Sequence, residues 1–294
     1  MSDVDQLHEQ ALRDAAFSRA SGRGFLEACR QYVEHRRIAD NELPGFYRRL
    51  GEALLHKGRN EDAVECARLA FDLQPEKEEI ANSCAWVFSN SGRHEEAALA
   101  YERLLELRPQ WVEGHRHASG SFAAAGQMDR AIVHARKASD NNPSSFEFAM
   151  HAGCLLQSAR LFEEAADYFA RAASIQPDEP SPLRHWSAAK FALDQHEDAV
   201  SLALQALSLA PNDCRNAVHA AELLLRTERF DVALELISET VVRNPEDVVA
   251  LRLLSEAQML VGRPEDALGA IDRALAIAPQ MAEYHLYYVH FVNQ

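Results

Sequence analysis

The sequence has few cysteines and none of the pairings that build a disulfide or zinc framework. Five cysteines stand far apart among 294 residues, and no two of them form a CxxC pair. This spacing argues against a disulfide-stapled fold and a zinc knuckle, and it is typical of a reducing compartment. We therefore expect a cytoplasmic protein without a metal site.

Long apolar runs and an excess of positive charge are also missing. No run approaches the ~18 apolar residues of a membrane-spanning helix, and the start, MSDVDQLHEQALRD, lacks the apolar core of a signal peptide. The formal net charge of −15 disfavours binding to nucleic-acid phosphates and to an anionic membrane surface. We expect no signal peptide, no membrane insertion and no nucleic-acid partner.

Catalytic and nucleotide-binding motifs are absent as well. The sequence contains no P-loop, HExxH, GxSxG or GxGxxG pattern. Cys154 and His151 lie three residues apart, but no orienting acid or oxyanion loop accompanies them. This chain is therefore predicted to be no enzyme and to bind no cofactor.

What the sequence does contain is a period of 34 residues. One proline and one alanine recur at this interval through seven units without an insertion or deletion: Pro75, Pro109, Pro143, Pro177, Pro211, Pro245 and Pro279, and Ala63, Ala97, Ala131, Ala165, Ala199, Ala233 and Ala267. Such a period indicates stacked helical hairpins. We place the units at 44–77, 78–111, 112–145, 146–179, 180–213, 214–247 and 248–281.

The last unit shows why each repeat should be a helical hairpin. Its first apolar-periodic segment reaches Gly262, a residue that ends helices in the left-handed conformation. Pro264 then suits the first turn of a second helix, and Pro279 ends that helix. The recurrent alanine, here Ala267, is small because two helices approach each other closely there.

This pattern resembles the tetratricopeptide repeat family over about residues 44–281. The resemblance is carried by segments such as GRHEEAALAYERLLELRP (92–109) and RLFEEAADYFARAASIQP (160–177). It implies an all-α fold, a right-handed α-α superhelix with the first helices on the concave wall. The tryptophan that the family often has early in the first helix is replaced here, as by His115, which we expect to pack. Residues 1–43 are expected to be a divergent N-terminal capping repeat.

Four histidines occupy the sixth position of consecutive repeats, which should face the groove: His117, His151, His185 and His219. In peptide-binding relatives this position is typically asparagine, whose amide holds the peptide backbone. Imidazole keeps a donor and an acceptor and adds a charge that can switch near pH 6.5. Either the histidines form a peptide-contacting ladder, or they are solvated residues inherited by duplication. A shared metal ion is disfavoured, because packed helices lie ~8–10 Å apart.

Other candidate groove residues surround these histidines. Arginines could bind a carboxylate or phosphate, or could pair with the chain's own glutamates. Small side chains make the third to fifth units the expected binding trough, with aromatic residues as apolar anchors. The candidates are Arg116, Arg184, Arg215, Arg226, Trp86, Gln157 and Phe191.

The last thirteen residues, 282–294, read as an incomplete eighth repeat that is apolar nearly all round. A capping helix should have a polar outer face. A further domain, a partner or a dimer mate is therefore expected to cover this end.

The function predicted from these features is a protein-interaction scaffold that binds an extended peptide or protein segment in its groove. The alternative is a substrate-recruiting N-terminal arm of a larger bacterial enzyme, of glycosyltransferase or sulfotransferase type, whose catalytic domain is absent from this chain. A third hypothesis is a pH-responsive scaffold.

Overall fold

A computed structural model describes residues 37–281 and, before them, residues 25, 29 and 32–34. The regular elements in this part of the chain are α-helices, and it contains no strand. Most of the predicted capping repeat (1–43) and all of the predicted incomplete repeat (282–294) lie outside the described residues. The prediction that a further domain, a partner or a dimer mate covers the C-terminal end concerns residues 282–294 and therefore also lies outside the described residues.

The chain divides into two compact units, Met1–Pro143 and Ser144–Gln294. In the first unit each described helix packs against the next one along the chain. Its helices are α1 (Leu43–His56), α2 (Asn60–Leu73), α3 (Glu78–Asn90), α4 (His94–Leu107), α5 (Val112–Ala124) and α6 (Met128–Asn141).

The second unit repeats the same hairpin, again with each helix packed on the next. Its described helices are α7 (Phe146–Ser158), α8 (Phe162–Ile175), α9 (Pro180–Ala192), α10 (His196–Leu209), α11 (Cys214–Arg226), α12 (Phe230–Arg243), α13 (Val248–Leu260) and α14 (Pro264–Ile277). The first helices of neighbouring hairpins, α7, α9, α11 and α13, also contact one another in sequence order. They therefore form one continuous wall within this unit.

The turn inside each hairpin depends on a residue in the left-handed conformation. Glycine provides it in four hairpins, with φ between 73° and 78° at Gly58, Gly92, Gly126 and Gly262. In the other three hairpins Arg160, Asp194 and Glu228 adopt φ of 63°, 60° and 61°. The backbone thus keeps the same turn at every repeat, even where a side chain makes it unfavourable.

The core of each hairpin is built around small residues. The recurrent alanines, Ala63 to Ala267, are fully buried in all seven hairpins. At Gly153 a Cβ atom would lie 2.6 Å from the Phe169 ring, so the absent side chain lets α7 and α8 approach. This close packing fixes where the first helices present their remaining side chains.

Among the helices described here, none is long and apolar enough to cross a membrane.

Candidate functional site

A pocket of about 550 Å³ opens on the first-helix wall of the second unit, between α9 and α11. Ala188 and Ala192 leave room for it, because neither side chain extends beyond Cβ. The other lining residues are Phe191, Asp194, His219, Glu222, Leu223 and Arg226. The pocket thus brings together Phe191, His219 and Arg226 of the predicted groove, and it lies between the fifth and sixth units, at the edge of the third-to-fifth-unit trough expected from the sequence.

The Arg226 guanidinium lies 4.6 Å above the centroid of the Phe191 ring. Within the described part of the chain, no carboxylate lies within ion-pair distance of this side chain, which is exposed. Arg116 and Arg215, by contrast, pair with Glu113 at 2.8 Å and Asp213 at 2.9 Å. Arg226 therefore offers a positioned cation whose donors are open to an incoming acceptor.

His219 closes the pocket on the α11 side and is held by Ser187 of α9. The Ser187 hydroxyl donates to the Arg184 carbonyl at 2.9 Å, so it accepts from His219 Nε2 at 2.5 Å. Burial, followed by the nearby charges of Arg184 and His185, lowers the pKa of His219 to about 4. The ring is therefore a neutral donor at physiological pH.

His185 lies on α9, where it stacks on the Phe169 ring with centroids 5.2 Å apart. Its Nδ1 atom donates to the Gln157 side-chain oxygen at 3.2 Å. Burial lowers the pKa of His185, and the Arg184 charge lowers it further. Arg184 itself donates to the Asn216 side chain of the next hairpin at 2.8 Å.

In the first unit, His117 packs against aromatic rings. It stacks on Tyr101 with centroids 5.2 Å apart, and Trp111 lies 6.2 Å away. Burial, and after it the Arg116 charge, lowers the pKa of His117. His151, on α7, is half-buried. The predicted ladder is thus a set of differently packed histidines, and its contact with a peptide stays a prediction.

The remaining predicted anchor, Trp86 on α3, is 39% exposed and lies 5.5 Å from the His56 ring. It belongs to the first unit and is no part of the pocket in the second.

Sequence reasoning overlooked a buried histidine contact in the first unit. His115 is 5% exposed, in keeping with a packing position, and its Nδ1 atom lies 3.0 Å from Nδ1 of His134. The sequence did contain an indication of this contact, because the positions equivalent to His134 are occupied by Leu202 and Leu236 in two other repeats. In the described residues, no group of three or more His, Cys, Asp or Glu side chains could hold a metal ion.

Comparison with known proteins identifies the class. The tetratricopeptide repeat family model matches residues 48–111, 85–145, 120–180 and 219–282, together more than half of the chain. The chain therefore belongs to the tetratricopeptide repeat family, whose members bind other proteins. No curated protein sequence matches it.

Solved structures agree on the fold. A tetratricopeptide repeat protein segment from Cytophaga hutchinsonii is 15% identical with a TM-score of 0.61, covering 82% of this chain and 98% of that one. One from Parabacteroides merdae is 12% identical with a TM-score of 0.56, covering 85% and 99%. YrrB, described as a TPR protein with an unusual peptide-binding site, is 19% identical with a TM-score of 0.53, covering 67% and 100%. The predicted all-α superhelix is confirmed.

Proposed function

We propose that this chain is a non-catalytic scaffold that binds an extended peptide segment across the pocket between α9 and α11. The observation that carries the proposal is the pocket itself, about 550 Å³ of open space whose apolar lining residues are Ala188, Phe191, Ala192 and Leu223. A peptide side chain of leucine or phenylalanine size would enter beside Phe191. The depressed pKa of His219 keeps this wall of the pocket uncharged.

Arg226 supports an acidic group next to that apolar side chain. Its guanidinium is already oriented by the Phe191 ring, so little side-chain entropy is lost when it pairs with a carboxylate. Charge-assisted hydrogen bonds of this kind are roughly twice as strong as neutral ones. Glu222, one helical turn before Arg226 on α11, also lines the pocket and would accept from a peptide N–H group.

The proposal names a peptide, and not a nucleic acid, because the net charge of −15 opposes a phosphate backbone. A cytoplasmic location of the protein stays a prediction. YrrB, with the same fold, is described as having a peptide-binding site, which supports this use of the surface. The alternative, a substrate-recruiting arm of a larger enzyme, would use the pocket in the same way and stays a prediction.

The experiment is selection from a phage-displayed library of random dodecapeptides on the purified chain, followed by fluorescence anisotropy of synthetic winners. We expect winners to combine a large apolar residue with a nearby Asp or Glu. Phe191→Ala should weaken binding at least about tenfold, as expected for a buried aromatic anchor. Arg226→Gln should weaken acidic winners and leave their Glu→Gln or Asp→Asn versions nearly unchanged.

The matched control is Arg263→Gln, which removes an exposed guanidinium outside the pocket. It should leave the affinity of every winner unchanged. Winners that bind Phe191→Ala as well as they bind the unmodified chain would contradict the proposal, and so would the absence of any enriched sequence.

A further inference from the structure

Two buried histidines meet inside the hairpin formed by α5 and α6. His115 is 5% and His134 is 8% exposed, and their Nδ1 atoms are 3.0 Å apart. Both line a separate cleft of about 500 Å³ that also includes Glu102 of α4. Two imidazoles at hydrogen-bond distance need a hydrogen between them, since two bare nitrogens would repel each other.

The neighbouring carboxylate determines which ring supplies that hydrogen. Glu102 Oε1 lies 3.4 Å from His134 Nε2, and a carboxylate can only accept, so His134 carries its hydrogen on Nε2. A neutral His134 then presents a bare Nδ1 atom to His115. His115 must therefore donate from Nδ1.

The remaining nitrogen of His115, Nε2, carries no hydrogen while the ring is neutral and its Nδ1 atom donates. The Pro109 backbone carbonyl raises the pKa of His115, against the larger effect of burial, which lowers it. Because Nδ1 of His115 donates to His134, Nε2 is the nitrogen of this ring that is left to take up a proton. One added proton on Nε2 would thus leave the hydrogen bond between the two rings and the contact of His134 with Glu102 in place.

A metal ion does not fit between the rings as they stand. The ring centroids are 5.3 Å apart, about as far as the 3.0 Å between the nitrogens plus one ring radius on each side permits. The two nitrogens therefore point nearly straight at each other. A metal on that line needs about 2 Å to each nitrogen, more than the gap allows.

Charged groups of α4 and α6 lie beside the pair. Glu102 and Glu106 of α4 line the cleft, and so does Lys137 of α6. Burial lowers the pKa of His134, Glu102 raises it, and Lys137 and Arg130 lower it. Burial, then His134 and Lys137, lowers the pKa of His115.

We propose that His115 and His134 are a proton-sharing pair that holds α5 against α6. The pair keeps the two helices together when it carries no added proton or one, and the helices separate when it takes up a second proton. The first proton comes from solvent and binds His115 Nε2. The second has only His134 Nδ1 left to bind. There its N–H group would meet the Nδ1–H group of His115 at 3.0 Å, and the contact becomes repulsive.

The first test is nitrogen NMR of the full chain labelled with ¹⁵N-histidine. At pH 8 we expect the Nδ1–H tautomer for His115 and the Nε2–H tautomer for His134, identified by loss of signals in His115→Gln and His134→Gln. On acidification the pair should take up one proton before the second. Two Nε2–H tautomers at pH 8, or two independent titrations with equal midpoints, would overturn the proposal.

The second test measures amide hydrogen exchange of α5 and α6, corrected for intrinsic rates, between pH 7.5 and pH 5. The matched variant is His115→Leu/His134→Leu, which copies Leu183 and Leu202 from the same positions of another repeat. Acid should accelerate amide exchange at least about tenfold in the unmodified chain, a factor that corresponds in free energy to a shift of one pKa unit. The acceleration should be much smaller in the double variant. Equal acceleration in both would overturn the proposal.

Two controls complete the design. His196→Gln, an exposed histidine in the second unit, should leave the exchange of α5 and α6 unchanged. Zinc chloride added at one equivalent should not protect these helices at pH 7.5. Protection by zinc that the double leucine variant lacks would show a metal site and overturn the shared proton.

Discussion

At the scale of single residues, the sixth-position histidines show that equivalent positions need not have equivalent surroundings. His117 and His185 stack on Tyr101 and Phe169, which lie sixteen residues earlier in each case. Sixteen residues before His219 the chain has Ala203, and this ring is instead held by the Ser187 hydroxyl. The packing of each histidine ring therefore depends on the side chain that the preceding second helix places beside it, and not on the histidine itself.

Gly153→Ala tests this dependence, because Gly153 makes room for the Phe169 ring on which His185 stacks. A new methyl group would lie 2.6 Å from a carbon of that ring, so the ring must move. We expect a loss of about 1–3 kcal/mol in the free energy of unfolding and a changed His185 NMR signal.

Gly120→Ala is the control for this substitution. Nothing lies within 4 Å of a Cβ atom at Gly120, which is also exposed in a first helix. Alanine there should stabilise the chain by up to about 1 kcal/mol, from helix propensity alone. Urea unfolding of both variants distinguishes the two signs, and a Gly153→Ala variant as stable as the unmodified chain would contradict the argument.

At the scale of helices and turns, the residue with left-handed backbone conformation between paired helices is not the same in every repeat. Glu228, with φ of 61°, occupies a position that Gly262 fills in a later hairpin with φ of 78°. Glu228→Gly should raise the free energy of unfolding by about 0.5–1 kcal/mol, since relief of strain exceeds the extra backbone entropy of glycine. Gly262→Ala should lower it by a similar amount. Urea unfolding that gives both changes the same sign would refute this explanation.

The helices themselves were predictable from the sequence because their signals are local. Helix starts at Glu78, Val112, Phe146, Pro180, Cys214 and Val248 recur every 34 residues, as the prolines and alanines do. These residues act within one hairpin, through chain stops and close packing. A period in the sequence is therefore translated directly into a period in the structure.

The site was less predictable because its contacts join different repeats. Arg184 donates a hydrogen bond to Asn216 in the next hairpin, and the Arg226 guanidinium lies over the Phe191 ring of the preceding hairpin. Arg215 pairs with Asp213 only two residues before it, whereas Arg226 has no carboxylate partner among the described residues. Sequence reasoning named these arginines, but only their three-dimensional neighbours separate the paired from the open ones.

At the scale of the whole molecule, the net charge of −15 conceals an extensive set of arginine–carboxylate pairs on the surface of each unit. Arg68 bridges to Glu96 of the next repeat at 2.6 Å, and Arg229 to Glu197 at 2.5 Å. Exposed pairs of this kind contribute about 0–1 kcal/mol each and weaken with salt. The pH dependence of stability should therefore come mainly from buried groups.

Those buried groups are histidines, and they occur in both units: the pKa is lowered for His115, His117, His134, His185 and His219. A lowered pKa means that the unfolded chain binds more protons than the folded chain below the ordinary value of 6.5, so stability must fall with falling pH. The loss begins near pH 6.5 and, for His219, continues toward its pKa of about 4. Carboxylates titrate mostly below about pH 5, so the interval from pH 7.5 to 5 isolates the histidines.

We therefore expect the urea midpoint, measured in 0.15 M salt, to change little from pH 7.5 to about pH 6.5 and to decrease from there to pH 5. His219→Asn, whose amide can still donate to Ser187, should flatten part of this decrease, because one of the groups responsible is removed. His196→Gln, at an exposed position, should leave the slope unchanged. Reduced charge repulsion acts in the opposite direction as acid neutralises the chain, but salt screens it over ~8 Å. A midpoint that stays level or rises toward pH 5 would show that this repulsion, and not histidine burial, controls the acid response.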